Sequence, residues 1–238
     1  MKVLKFITRR FFVLCLPFML ITGSLGAAVN SLALYKYGFH KYQITQVTGI
    51  DEAQLEKGAR GLISYFNSGE EFINVVVEKD GEPFTLFNQR EVIHLKDVKT
   101  LFWLDYGVFF ATLIYMLAYS GFYLRRRENW RYLAKSIAIG SLLTLAIMAA
   151  LWIVSLVDFE GFFIQFHLLA FSNDFWQLNP YTDYLLMMFP EGFWNDAVLF
   201  IALGATLMAV ILLGLSLGHL RFNKRDAAKD KSFSSSAV

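Results

Sequence analysis

The sequence predicts a membrane α-helical protein: a four-span bundle with a small extracytoplasmic α+β cap and an interfacial helical connection between spans three and four. Three observations predict it. Of 238 residues, 56% are hydrophobic and 17% aromatic, and the mean hydropathy is +0.44, beyond the range of soluble domains. Four segments, 11–34, 101–124, 136–157 and 196–217, reach the roughly 20 apolar residues needed to cross a bilayer. The basic residues are clustered between them: Lys2, Lys5, Arg9 and Arg10 before the first span, Arg125, Arg126, Arg127, Arg131 and Lys135 between the second and third, and Arg221, Lys224, Arg225, Lys229 and Lys231 after the fourth. The positive-inside rule then puts both termini and the 125–135 loop in the cytoplasm and the two long connections outside. The expected setting is a membrane crossed several times. A formal charge of +2 without a basic, aromatic-interleaved block excludes nucleic acid as a partner.

The first segment, 1–34, holds a cytoplasmic N-terminus and span one. Its apolar run outlasts a signal-peptide core, which favours an uncleaved span. Pro17 allows a kink, and Gly23, Gly26 and Ala27 allow a helix to come close. Cys15, the single cysteine, forms no internal disulfide and fits a core position.

Residues 35–100 form the cap. Tyr35 to Tyr42 suits an aromatic interface belt, with His40 at the surface. Between Asp51 and Ser68, Leu55, Ala59, Leu62, Ile63 and Phe66 recur at helical spacing, which predicts an amphipathic helix. Residues 72–77 and 84–87, either side of Asp80-Gly81, predict a hairpin. Asn88 with Glu91 is a capping-box pair that starts a helix running unbroken into span two, 101–124. On that helix Arg90, His94, Asp97, Leu101 and Asp105 share one stripe at about 100° per residue. Charged groups on a helix entering a membrane are costly and commonly functional. Asp105 suits a snorkelling or a functional role equally.

After the cytoplasmic loop (125–135) and span three (136–157), the connection 158–195 is apolar yet carries His167, Asn173, Asp174 and Asp183, without a cation. It predicts an interfacial or shallow re-entrant helix, with Asn179-Pro180 opening a short helix that Pro190 ends. Span four (196–217) leads to a polar cytoplasmic tail (218–238) whose composition beyond Arg221 predicts disorder.

Two histidines on separate external segments, His94 and His167, are the chemical resource. Imidazole exchanges a proton near neutral pH, with an unperturbed pKa of about 6.5. Asp97, one turn past His94, and Asp174, two turns past His167, are placed to orient the rings. A metal set of His94, Asp97, His167 and Asp174 competes, although no H-E-x-x-H is present. A serine hydrolase built on Ser172 lacks G-x-S-x-G. A non-enzymatic sensor or assembly protein would use the same histidines structurally.

The motifs F-N-Q-R-E-V-I-H-L-K-D-V and F-H-L-L-A-F-S-N-D-F-W-Q-L-N-P-Y-T-D, followed by M-F-P-E, resemble the bacterial lipoprotein intramolecular transacylase family. The likeness extends over nearly the whole chain, with little of it in 35–87 and 220–238. It implies an acyltransferase that moves the sn-2 acyl chain of a diacylglyceryl-modified lipoprotein onto the α-amino group of the same N-terminal cysteine, giving the lyso form. The implied active site is extracytoplasmic and needs no cofactor or metal. By the same resemblance His94 and His167 are the catalytic pair, one the base and the other an acid or oxyanion stabiliser. Asp97 and Asp174 would orient them, and Arg90 and Asn173 would be polar contacts near the ester.

Overall fold

The computed structural model describes residues 2–125 and 130–235. Arg126 and Arg127 of the basic loop lie outside the described residues. Among the described residues four helices are long and apolar enough to cross a membrane, over Val3–Val29, Gln89–Leu124, Trp130–Val157 and Glu191–Phe222. They expose Leu104, Ile114, Leu117, Leu156, Leu203 and Leu207 at more than 60% each, a pattern that lipid tails tolerate and water does not.

Helix α1 (Lys2–Val29) runs through Pro17. It stops five residues short of the expected end of span one because Asn30 turns its side-chain amide onto the Gly26 carbonyl (2.7 Å) and Ser31 is extended. These side chains compete with the helix for its last backbone groups. Gly23 and Gly26 allow the close helix contact expected of them. A Cβ on Gly23 would lie 2.9 Å from the Phe109 ring, and one on Gly26 3.2 Å from the Tyr106 ring.

Two compact units are present. The first comprises residues 1–24, 107–151 and 202–238. Its core is Phe12, Cys15, Leu16, Leu20, Met116, Tyr119, Tyr123, Leu133, Met148, Ala205 and Ala209, so Cys15 is a packed apolar residue. Helix α9 (Glu191–Ser235) continues past Arg221 where disorder was expected. No glycine or proline interrupts residues 219–235, and Arg221, Lys224, Arg225, Ala227, Ala228, Lys229 and Lys231 among them are good helix formers.

The second unit, residues 25–106 and 152–201, carries the cap. Tyr35 to Tyr42, expected as an interface belt, is mostly helix α2 (Leu32–Lys41), which buries Leu34, Tyr35 and Phe39. A one-turn helix α3 (Ile44–Thr48) follows. Helix α4 (Glu52–Phe66) is capped by Asp51, whose carboxylate accepts from Gln54 N at 2.8 Å, and it buries Leu55, Ala59, Leu62 and Phe66 as the spacing predicts. The hairpin pairs β1 (Val76–Lys79) with β2 (Glu82–Thr85), closer to the turn than expected. Asp80 (φ 55°) and Gly81 (φ 82°) are both left-handed, the two-residue turn that pairs strands immediately beside it.

Helix α5 (Gln89–Leu124) is continuous from the cap into the apolar segment, and α6 (Trp130–Val157) returns. In the 158–195 connection, α7 (Phe159–Ala170) is capped by Asp158 through Gly161 N at 2.8 Å. The short helix α8 (Tyr184–Met188) starts at Asp183 rather than Asn179. Asn179 instead closes a turn, its side chain accepting from Tyr181 N (2.9 Å) and its carbonyl from Asp183 N (2.9 Å).

Candidate active site

The start of α5 is held by reciprocal caps. Asn88 Oδ1 accepts from Arg90 N (2.9 Å) and Glu91 N (3.1 Å), and Glu91 Oε2 accepts from Asn88 N (2.6 Å), as the capping-box spacing predicts. The other Glu91 oxygen reaches α8 and accepts from Leu185 N at 2.6 Å. Asp183, at the N-cap of α8, does not cap its own helix. Its carboxylate accepts from Asn88 Nδ2 (2.9 Å) and Asn179 N (2.7 Å) instead. Each helix start is therefore tied by side chains of the other, and the Glu91 carboxylate is 1% exposed.

One turn further along α5, the second set of ties runs to the loop after α7. Asn173 Nδ2 donates to Asp97 Oδ2 at 2.8 Å. Arg90 donates to the Asp174 carbonyl, and its guanidinium lies 5.8 Å from the Phe175 ring centroid. Arg90, Asp97, Asn173 and Asp174 thus come together, but their bonds are to one another's segments. Asp97 is bonded to Asn173 and not to His94. The Asp174 side chain faces Gln177 Nε2 (3.4 Å) and not His167.

Between these ties the two imidazoles face one another, with ring centroids 6.1 Å apart and planes inclined by 31°. Each is 7% exposed. Phe171 stands 5.1 Å from His94 and 5.5 Å from His167. Phe163 (4.2 Å) and Trp176 (5.0 Å) complete an aromatic wall around His167. Nδ1 of His167 lies 2.7 Å from the Phe163 carbonyl. A carbonyl only accepts, so Nδ1 carries the proton and Nε2 keeps its lone pair. Burial pushes the His167 pKa below its ordinary value, more than the Phe163 bond raises it, which favours the neutral ring. Nδ1 of His94 is buried without a hydrogen-bond partner among the described residues.

Two residues singled out in the sequence stand apart. His40 is exposed on α2. Asp105 is 8% exposed with Oδ2 unpartnered. It lies eleven residues beyond His94 on one continuous helix, about 16 Å along its axis at 1.5 Å per residue, too far to touch that ring. No three His, Cys, Asp or Glu side chains among the described residues converge as a metal set.

Sequence reading missed the Glu91 bond to α8, the role of Asp183 and the Phe163 carbonyl. Only the last had a local signal, since a helical histidine reaches the carbonyl four residues back.

Four membrane-length helices among the described residues define a multi-pass membrane protein, and the buried histidine pair with its aromatic wall lies within it. Comparison with known proteins agrees. The model of the lipoprotein intramolecular transacylase family, Lit, matches residues 10–194, and the chain belongs to that family. The in meso structure of the membrane-integral transacylase Lit from Bacillus cereus superposes with a TM-score of 0.79 at 22% identity, covering 94% of this chain and 99% of that one. A variant of the same protein with one histidine replaced by alanine gives 0.75 at 23% identity, covering 94% and 96%. At this identity the likeness speaks for the fold. An uncharacterized protein of Aquifex aeolicus is 30% identical over 145 residues, which span 60% of this chain and 62% of that relative.

Proposed function

We propose that this protein transfers the sn-2 acyl chain of a diacylglyceryl-modified lipoprotein to the α-amino group of the lipoprotein's own N-terminal cysteine. The observation that carries the reading is the facing pair of buried imidazoles, one with its tautomer set by a backbone carbonyl. Nucleophile and ester belong to one substrate, so the protein needs to position them and move protons, with no acyl-enzyme intermediate.

His167 is the base. Its Nε2 takes the proton as the α-amine, with a solution pKa of about 8, attacks the ester carbonyl carbon. The developing oxyanion takes a hydrogen bond from His94, the ring that faces His167 at 6.1 Å between centroids. Collapse breaks the bond between the carbonyl carbon and the sn-2 oxygen, and that oxygen leaves with the proton from His167. The products are an amide and a free sn-2 hydroxyl. Phe163, Phe171 and Trp176 around the pair keep water away, which favours aminolysis over hydrolysis. Arg90, Asp97, Asn173 and Asp174 hold the two histidine segments together. The distribution of basic residues supports cytoplasmic termini and an extracytoplasmic site.

Mass spectrometry of lipoprotein N-termini tests the reading in cells making the wild type, His94→Ala or His167→Ala. Loss of the lyso form in both variants, at wild-type protein level in the membrane, is expected. A wild-type yield of lyso form from either variant removes that residue from the mechanism.

A further inference from the structure

Within the first unit, α1 and α6 enclose a cleft of about 310 Å³ lined by Lys5, Phe6, Arg9, Arg10, Val13, Tyr132 and Ile139. Helical spacing builds its α1 wall, since Lys5, Arg9 and Val13 form one row and Phe6 and Arg10 the next. Two contacts bound it. At one end a Cβ on Gly140 would fall 2.7 Å from Leu16 Cδ2 and 3.3 Å from the Val13 carbonyl, so the helices touch there almost backbone to side chain. At the other, the Tyr132 hydroxyl donates to the Lys5 carbonyl at 3.2 Å.

The lining holds three cations and no carboxylate. Among the described residues none of the three makes an ion pair. The Arg9 guanidinium lies 5.0 Å from the Tyr132 ring centroid and that of Arg10 5.0 Å from Phe6. A guanidinium placed over a ring still offers its N–H edge to an acceptor. The remaining wall, Phe6, Val13 and Ile139, is apolar, and Ile139 is 45% exposed.

We propose that this cleft is a binding site for an anionic phospholipid of the surrounding bilayer, with the phosphate on Lys5, Arg9 and Arg10 and an acyl chain along Phe6, Val13 and Ile139. The charge and the apolar wall each narrow the choice. A soluble phosphate leaves the apolar wall uncovered. A zwitterionic lipid brings an ammonium to three cations with no carboxylate to receive it. Basic pockets between membrane helices select anionic headgroups on the same grounds.

Lipid titration of the purified full chain, followed by native mass spectrometry, tests this with phosphatidylglycerol, phosphatidylcholine and inorganic phosphate as probes. Wild type is expected to retain phosphatidylglycerol over phosphatidylcholine. At about fivefold in affinity per cation, Arg9→Gln with Arg10→Gln should weaken phosphatidylglycerol about 25-fold. Arg131→Gln with Lys135→Gln removes the same charge from residues outside the cleft and should leave retention near wild type. Equal losses in both double variants would reduce the basic residues to diffuse attraction and topology, and overturn the site. Absence of a headgroup preference in wild type, or displacement by phosphate at equal concentration, also overturns it. Ile139→Trp keeps every charge and fills the apolar wall. Its expected loss of bound lipid holds the test open if the arginine pair fails to fold, and unchanged retention in it counts against the site.

Discussion

Glu91→Ala removes the acceptor shared by the two helix starts. The carboxylate takes hydrogen bonds from Asn88 N and Leu185 N, both at 2.6 Å. Leu185 is 7% exposed, so its N–H is left buried without a partner, while Asn88 is exposed and can turn to water. A stranded buried donor costs about 1–3 kcal/mol, and a re-solvated one about 0.5–1.5 kcal/mol. The sum is roughly 1.5–4.5 kcal/mol. At about 2–4 °C per kcal/mol for a chain of this size, the unfolding midpoint in detergent should fall by roughly 3–18 °C. Glu91→Gln retains one acceptor oxygen and should lose less. Because Glu91 lies one turn before His94 and its bond reaches the segment that follows His167, a shift of about 1 Å between the rings should cost lyso-form production on the order of 100-fold. Amide hydrogen exchange locates the effect at Leu185, and the lipoprotein assay reads the rate. Unchanged protection at Leu185 together with unchanged activity in Glu91→Ala would refute the claim that this carboxylate registers the two segments.

The pH dependence follows from His167, whose pKa burial lowers. Its neutral, base-competent form persists to pH values below the ordinary 6.5, so the acid limb of activity should fall there, and Trp176→Ala, which opens the wall, should move that limb upward. An acid limb unmoved in that variant would count against the wall as the cause. Protonation of this ring is less favourable folded than unfolded, so its share of stability is complete above about 6.5 and is lost as pH falls through the folded pKa; denaturant titrations of wild type and His167→Gln should diverge in that window. The Asn173–Asp97 bond should give a double-mutant coupling of about 0.5–3 kcal/mol, and additive single changes would show that the 2.8 Å contact contributes nothing. In the cap, a Cβ at Gly61 would lie 2.5 Å from Val75 Cγ2, so Gly61→Ala should destabilise by about 1–3 kcal/mol through overpacking, measurable as a lower unfolding midpoint.

Hydropathy, helical spacing and capping pairs are properties of neighbouring residues. That is why the four apolar helices, the buried face of α4, the Asp80-Gly81 turn and the Asn88–Glu91 box could be read from the chain alone, and why the motif resemblance singled out His94 and His167. Where local competition was overlooked, the boundaries moved, as at Asn30 and Ser31 after α1 and at Asn179 before α8. Hydrogen-bond partners are another matter, because a polar side chain bonds whatever the fold brings within about 3 Å. Asp97 finds Asn173, 76 residues on, and Glu91 finds Leu185, 94 residues on, and no periodicity encodes either choice. The same holds for the 6.1 Å between the imidazoles: their place in the sequence and the motif resemblance named both rings, but only the packing of α5 against the connection carrying α7 and α8 could set their separation.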